Sequence, residues 1–401
     1  MGPMSPADSD PSTGSERRLD LVLFGATGFT GGLTADYLAE HGPENLRWGI
    51  AGRNLAKLEA VRDRLAARWP AAADVELIVA DATDADSLAE VAHSARVVIT
   101  TVGPYLLYGE PLVAACAEAG TDYVDLTGEP EFVERMWLAH HVRAVQTGAR
   151  LVHACGFDSI PYDLGGHFTV GLLPDDQPIT MRGVIRAGGS LSSGTLHSAI
   201  LATSRRTQAR EAARSRRLVE KRPEGRSSRA VVGKPHRDPQ LGYWLLPLPT
   251  IDPVIVARSG AALASYGPAF RYSHYAGTKT LRWAAAGAGV VSTLGVATQV
   301  PPLRKLLVDR VKQAEGPSEA RREKSWFTAD FVAEAGGQTV HTRVSGGDPG
   351  YGDTAKMVAE SALCLAFDDN PPTAGQVTTA QAMGDRLTER LQAAGMKFEV
   401  R

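Results

Sequence analysis

Residues 19–32, LDLVLFGATGFTGG, constrain this chain more than any other stretch. Leu19, Leu21, Val22, Leu23 and Phe24 form an apolar run of the kind found in a strand covered on both faces. A turn with glycines at 25, 28 and 31 follows, and then a helical pattern begins. Strand, glycine turn and helix together open a dinucleotide-binding fold. Gly25 permits the sharp turn, Gly28 the close approach of backbone to a pyrophosphate, and Gly31 tight helix–strand packing. Thr27, Phe29 and Thr30 flank the same turn, and the free N–H groups of the helix start face the phosphates. The spacing is G-x-x-G-x-x-G, a variant of the usual G-x-G-x-x-G.

The pattern that follows alternates. Apolar strand runs at Leu46–Ala51, Val75–Ala80, Arg96–Thr101, Tyr123–Leu126 and Ala149–Ala154 are separated by helical stretches with short links. Such alternation predicts an α/β fold with an N-terminal Rossmann-type parallel sheet over residues 19–154. A second, α+β substrate domain is expected over residues 155–370, and residues 371–401 are expected to supply a closing helix that packs back on the first domain.

Ligands of open parallel sheets sit at the carboxyl ends of the strands, and that rule selects candidates. Arg53 and Asn54 follow the second run, where NAD enzymes usually carry an acid. A guanidinium there suits a 2′-phosphate, so NADP (as NADPH) is the expected cofactor, against the alternative of a solvated surface arginine. Asp81 and Ala82 follow the third run, with Asp81 meeting the adenine or capping the next helix. Val102, Gly103 and Pro104 follow the fourth and are expected beside the nicotinamide. After the sixth comes a polar turn, Cys155 to Asp163, rich in groups that move protons. Tyr105, Asp158 and Tyr162 are the catalytic candidates on these loops.

Composition limits the function classes. The chain has 401 residues, 43% hydrophobic and 22% charged, a formal net charge of −2 and three scattered cysteines. Neither a disulfide framework nor a metal site is expected, and a reducing, cytoplasmic setting fits. Residues 1–18 are polar, lack an apolar signal core and read as a disordered tail. Residues 201–240 carry twelve Lys or Arg against four acids, a local net charge of +8. That block suits an acidic carrier protein, a coenzyme A phosphate or an anionic membrane surface, or is simply a solvated helix and loop. Nucleic acid is not expected, because no aromatics are interleaved with the charge. Residues 283–300 hold no charge over eighteen positions and have basic flanks, which reads as a buried or interfacial helix, with contact at the inner face of a membrane as the companion expectation. A glycine–serine turn is expected at Gly188–Thr195, a polar loop at Gln313–Glu323, and a hairpin of Trp326–Ala335 with Gln338–Val344 around Gly336-Gly337. Helices are expected at Thr354–Ala366 and Thr378–Ala393.

Several stretches together resemble the saccharopine-dehydrogenase-like oxidoreductases, and more narrowly the trans-acting enoyl reductases. They are GATGFTGGLTADYLA from Gly25, AGRN from Ala51, TTVGPYLLYGEPLVAACAEAGTDYVDLTGE from Thr100, ACGFDSIPYDLG from Ala154, GDPGYGDTAKMVAESALCLAF from Gly347 and AMGDRLTERL from Ala382. The resemblance implies NADPH-dependent reduction of a carbon–carbon double bond in a polyketide or fatty acyl chain carried by a synthase or carrier protein in lipid biosynthesis. Two alternatives remain at this level: an amino-acid-type dehydrogenase, and a non-enzymatic NADP-binding protein resting on lipid surfaces.

Overall fold

The computed structural model describes residues 17–189, 193–221, 223–312 and 317–401. Most of the expected N-terminal tail and the centre of the glycine–serine turn lie outside the described residues.

The first part runs β1 (Leu19–Phe24), α1 (Phe29–His41), β2 (Trp48–Gly52), α2 (Leu55–Ala66), β3 (Glu76–Val79), α3 (Ala85–Ser94) and β4 (Ala95–Thr100). It continues through α4 (Tyr105–Tyr108), α5 (Glu110–Ala119), β5 (Asp122–Asp125), α6 (Pro130–Thr147) and β6 (Arg150–Val152). Then come α7 (Ile160–Val170), β7 (Ile179–Gly188), α8 (Ser193–Ser204), α9 (Arg206–Val219), β8 (Ser227–Ala230), β9 (His236–Arg237) and β10 (Trp244–Pro247). Next are α10 (Asp252–Ala262), β11 (Ala269–Thr278), α11 (Leu281–Ala297), α12 (Pro301–Lys312), α13 (Glu319–Arg322), β12 (Trp326–Ala335) and β13 (Gln338–Gly346). The chain closes with α14 (Gly352–Phe367), β14 (Gly375–Val377), α15 (Thr379–Ala382), α16 (Gly384–Ala393) and β15 (Lys397–Val400).

The first sheet has seven strands in the order β14-β6-β5-β4-β1-β2-β3, and its pairings are parallel. Because β1 and β4 are buried along most of their length, they carry continuous apolar runs. The chain steps outward from β1 to β3 and then from β4 to β6 on the other side, so the order reverses between β1 and β4. A crevice forms at that switch point.

The second sheet is mixed, ordered β15-β13-β12-β7-β11-β10-β9, with β8 alongside β11. β12 and β13 form the expected hairpin. Helices α7 and α10 pack against this sheet, over a core that includes Tyr266, Phe270, Tyr272 and Phe331.

Several expectations are corrected. The expected closing helix is two pieces, α15 and α16, divided at Met383–Gly384, where Gly384 takes φ +45°. The elements that return to the first sheet are β14, which pairs with β6, α15, which also touches β6, and α14, which packs on α1, β1, β4 and β5; α16 lies on α14 and α7. The polar stretch expected as a loop contains the short helix α13. Of the buried and interfacial alternatives for residues 283–300, only the buried one fails in α11: Leu281, Trp283 and Val296 are exposed, while Ala284 is covered.

Candidate active site at the carboxyl edge of the parallel sheet

The glycine turn is built as a phosphate cradle. Gly25 has φ +99°, a left-handed value that side chains avoid. A Cβ on Gly31 would fall 2.1 Å from the Gly25 carbonyl oxygen, so only glycine lets α1 sit this close. Gly28 is the N-cap of α1 and no side chain caps that end. Thr27, Gly28 and Phe29 are exposed, leaving the first turn open to an anion. Thr101 Oγ1 donates to the Gly25 carbonyl at 3.3 Å and Val102 lies against Gly25, which puts the Val102–Pro104 segment beside the turn.

Arg53 stands at the end of β2 with its side chain 78% exposed and only a 3.9 Å approach to Asp81. It is open to a 2′-phosphate, and with the cradle it makes this edge fit NADP. Asn54 is engaged otherwise: its Oδ1 accepts from the Lys57 N–H and caps α2. Asp81 does not cap α3, because Asp84 does. Asp81 instead accepts from the N–H and hydroxyl of Thr83, which hold its carboxyl below the usual range. Ala82 is half-buried in the same turn.

The three catalytic candidates separate. Tyr105 is buried; its hydroxyl donates to the Thr100 carbonyl at 3.0 Å and accepts from the Leu126 N–H at 3.1 Å. It ties the ends of β4 and β5 together and has no proton left for a substrate. Asp158 and Tyr162 do come together. Asp158 follows β6 at the start of α7, and a Cβ on Gly128 would lie 3.0 Å from its Oδ2. Loss of water pushes the Asp158 carboxyl up to about 6. Burial, with Asp252 and Asp158 nearby, raises the Tyr162 phenol too. No hydrogen bond to the Tyr162 hydroxyl is made among the described residues.

Sequence reading missed what stands behind and above this pair. His274, on β11, packs edge-on against Tyr162 with ring centroids 4.7 Å apart. Its Nδ1 lies 3.0 Å from the Tyr272 hydroxyl and its Nε2 3.7 Å from Asp252 Oδ2. Burial lowers His274 to about 3, so the imidazole is neutral. Burial and the neighbouring Asp158 raise Asp252. Across the crevice, the loop before α14 sets Tyr351 edge-on against Phe29 at 4.8 Å, and Thr354 Oγ1 accepts from the Phe157 N–H at 3.2 Å. The glycine-rich run GDPGYG at 347–352 was the available signal for that loop. For Asp252 and His274 there was none, since neither belongs to a motif.

Among the described residues no group of three or more His, Cys, Asp or Glu is placed to hold a metal ion. The three cysteines are free and buried.

This edge belongs to an NADP-dependent oxidoreductase. Residues 21–152 match the family model described as the saccharopine dehydrogenase NADP binding domain. Along almost its whole length the chain is also similar to curated relatives. It is 38% identical over 421 residues to a protein of Mycobacterium tuberculosis provisionally named a trans-acting enoyl reductase, covering 96% of this chain and 98% of that one. It is 35% identical over 413 residues to a Mycobacterium ulcerans protein named trans-acting enoyl reductase, covering 95% and 97%. The chain therefore belongs to the trans-acting enoyl reductase family. Its fold is shared with apo saccharopine dehydrogenase (L-Glu forming) from Saccharomyces cerevisiae, at TM-score 0.55 and 14% identity, covering 96% of this chain and all of that one.

Proposed function

We propose that this protein is an NADPH-dependent enoyl reductase acting on an acyl or polyketide chain carried by a separate synthase, in lipid biosynthesis. Near full-length similarity to the trans-acting enoyl reductases carries the reading. The open glycine cradle holds the pyrophosphate, and Arg53 holds the 2′-phosphate. Bound NADPH supplies the hydride that ends on the β-carbon. The former double-bond pair then takes a proton at the α-carbon.

Asp158 supplies that proton. With its carboxyl at about 6, a useful fraction is protonated near neutrality. Tyr162 covers the same spot and offers its phenol to charge developing on the thioester oxygen. An amino-acid-type dehydrogenase would need cations to grip carboxylates here. The groups around Asp158 are instead acids, phenols and a neutral imidazole.

The test is direct. Purified protein with NADPH and a 2-enoyl thioester should consume both in equal amounts and release the saturated thioester, identified by mass. NADPH binding without reduction of any enoyl thioester, across short and long chains, sinks the proposal.

A second reading concerns location. Helices α11 and α12 expose Leu281, Trp283, Val296, Leu303 and Leu306, and Lys279, Arg282, Arg304 and Lys305 lie among them with no acid between residues 279 and 308. We infer peripheral contact with an anionic lipid surface through this pair. No helix among the described residues is long and apolar enough to cross a membrane.

A further inference from the structure

Away from the glycine cradle lies a cavity of about 1030 Å³. Its walls come from α6, α9, β8, α10 and β14, and none of the residues placed above at the cofactor or proton site lines it. Three features define what it takes.

The first is charge. Six cations and two carboxylates line it. Deepest are Arg216 and Arg258, which share one carboxylate oxygen of Glu134 at 2.7 and 2.9 Å. Arg216 also pairs with Glu220 at 2.9 Å, and burial, with Arg258 beside it, lowers its guanidinium to about 10. At the rim Arg229 is exposed and meets no acid among the described residues. The cations in excess of the two acids, Arg229 foremost, suit an anion.

The second is a pair of buried polar atoms without partners. His153 is 2% exposed, and its Nδ1 lies 2.6 Å from Asp125 Oδ2. The Asp125 carboxylate can only accept, so Nδ1 carries a proton toward it and Nε2 is the ring nitrogen left over. That Nε2 is buried with no partner. Gln376 is 8% exposed and donates its Nε2 to the Val133 carbonyl at 3.1 Å, which fixes the amide orientation. Its Oε1 is buried and also unpartnered. Buried polar atoms without partners destabilise the fold until something pairs with them.

The third is an apolar length. Trp137, Val142, Val219 and Val254 run along the wall.

A ligand that answers all three carries an anionic phosphate at one end, N–H or O–H groups along its middle, and apolar chain between. We propose that the cavity binds a 4′-phosphopantetheine thioester arm, its phosphate against the arginines and its hydroxyl and amide N–H groups donating to His153 Nε2 and Gln376 Oε1. This arm occurs both in coenzyme A esters and on carrier domains. The proposal rests on the thioester reading above for its relevance, but binding is measurable without turnover.

The experiment is a calorimetric titration of the full chain, saturated with NADPH, with 4′-phosphopantetheine. NADPH saturation closes the dinucleotide site to adenine-bearing probes. One-to-one binding is expected. Pantetheine lacking the phosphate, and inorganic phosphate alone, should each bind about tenfold more weakly or worse. Arg229→Glu, on an exposed side chain, should weaken binding about tenfold, and Val254→Trp, which fills the cavity, should abolish it. NADPH titrations should be unchanged in both. If Val254→Trp fails to fold, Arg229→Glu decides. Parallel titrations with coenzyme A and with a phosphopantetheinylated carrier domain distinguish the two sources. Binding that survives Val254→Trp, binding of inorganic phosphate as tight as the full arm, or no binding at all overturns the proposal. If the arm binds but no enoyl thioester is reduced, the cavity stands and the reductase reading falls.

Discussion

At the scale of single residues, Asp158 carries the sharpest consequences. Its carboxyl is raised from 3.8 to about 6 because the folded protein strips water from it. A raised acid means that the folded state holds its proton more tightly than the unfolded chain does. Folding therefore suffers no cost from this group below pH 3.8, loses stability as pH rises from there to about 6, and bears the full cost above. That cost is at most about 3 kcal/mol. Asp158→Asn carries no charge, so it should melt higher than the parent at pH 8 and equally at about pH 4, while turnover collapses by about 100-fold or more. The parent's rate should fall as pH climbs through about 6, read in kcat/KM profiles. A variant that keeps both turnover and pH profile removes Asp158 from the chemistry. Arg53 makes a separate prediction. Its exposed guanidinium should grip the 2′-phosphate with charge-assisted bonds worth about 1.5–3 kcal/mol. Arg53→Ala should therefore weaken NADPH about 10- to 100-fold and leave NADH within about twofold, by fluorescence titration.

At the scale of elements, the parallel sheet was legible because each strand carries its own apolar run and each link is short. β1 shows this best, since all six of its residues are buried. Elements held by their neighbours were not legible. β14 is three residues long and joins the sheet only by pairing with β6, more than 200 positions earlier. The break between α15 and α16 depends on Gly384, hidden inside a helical pattern. Of the candidate site, the geometry of the glycine turn and the place of Arg53 at the end of β2 could be read locally. The role of Tyr105 could not, because its hydroxyl is consumed by backbone groups of two strands. Asp163 is the clearest case of a tertiary hub. Buried on α7, it accepts from the Ser259 hydroxyl on α10 at 2.5 Å and from the hydroxyl of Thr379 and the N–H of Ala380 on α15 at 2.6 and 2.8 Å. Asp163→Ala strands three donors where helices meet, and should cost about 3–5 kcal/mol in denaturant midpoints. A loss under about 1 kcal/mol would mean that the three helices hold together without it.

At the scale of the whole molecule, the charge is near neutral but unevenly spread. Helix α9 exposes Arg206, Arg210, Arg214 and Arg217, while α11 and α12 combine cations with exposed apolar side chains. The two surfaces differ in how apolar side chains are spread among the cations. The α9 face has mainly polar residues between its arginines, with Leu218 and Val219 exposed only at its last turn, which suits a soluble acidic partner. The α11–α12 pair has Trp283 at 69% exposure and Leu306 at 55%, which water alone does not favour. Near an anionic membrane each cation gains about 1 kcal/mol, so Lys279, Arg282, Arg304 and Lys305 supply roughly 4 kcal/mol before any apolar group enters the headgroups. That is too little for permanent attachment and enough, with Trp283 and Leu306 inserted, for reversible residence. The protein should float with phosphatidylcholine vesicles containing about one-third phosphatidylglycerol at low salt, and far less with pure phosphatidylcholine. Trp283→Glu with Leu306→Glu should abolish flotation yet leave NADPH binding intact, because neither side chain touches the sheet that holds the cradle. Should the parent stay at the bottom of the gradient with anionic vesicles, the exposed pair belongs instead to a protein contact, and the α9 arginines become the place to look for the synthase.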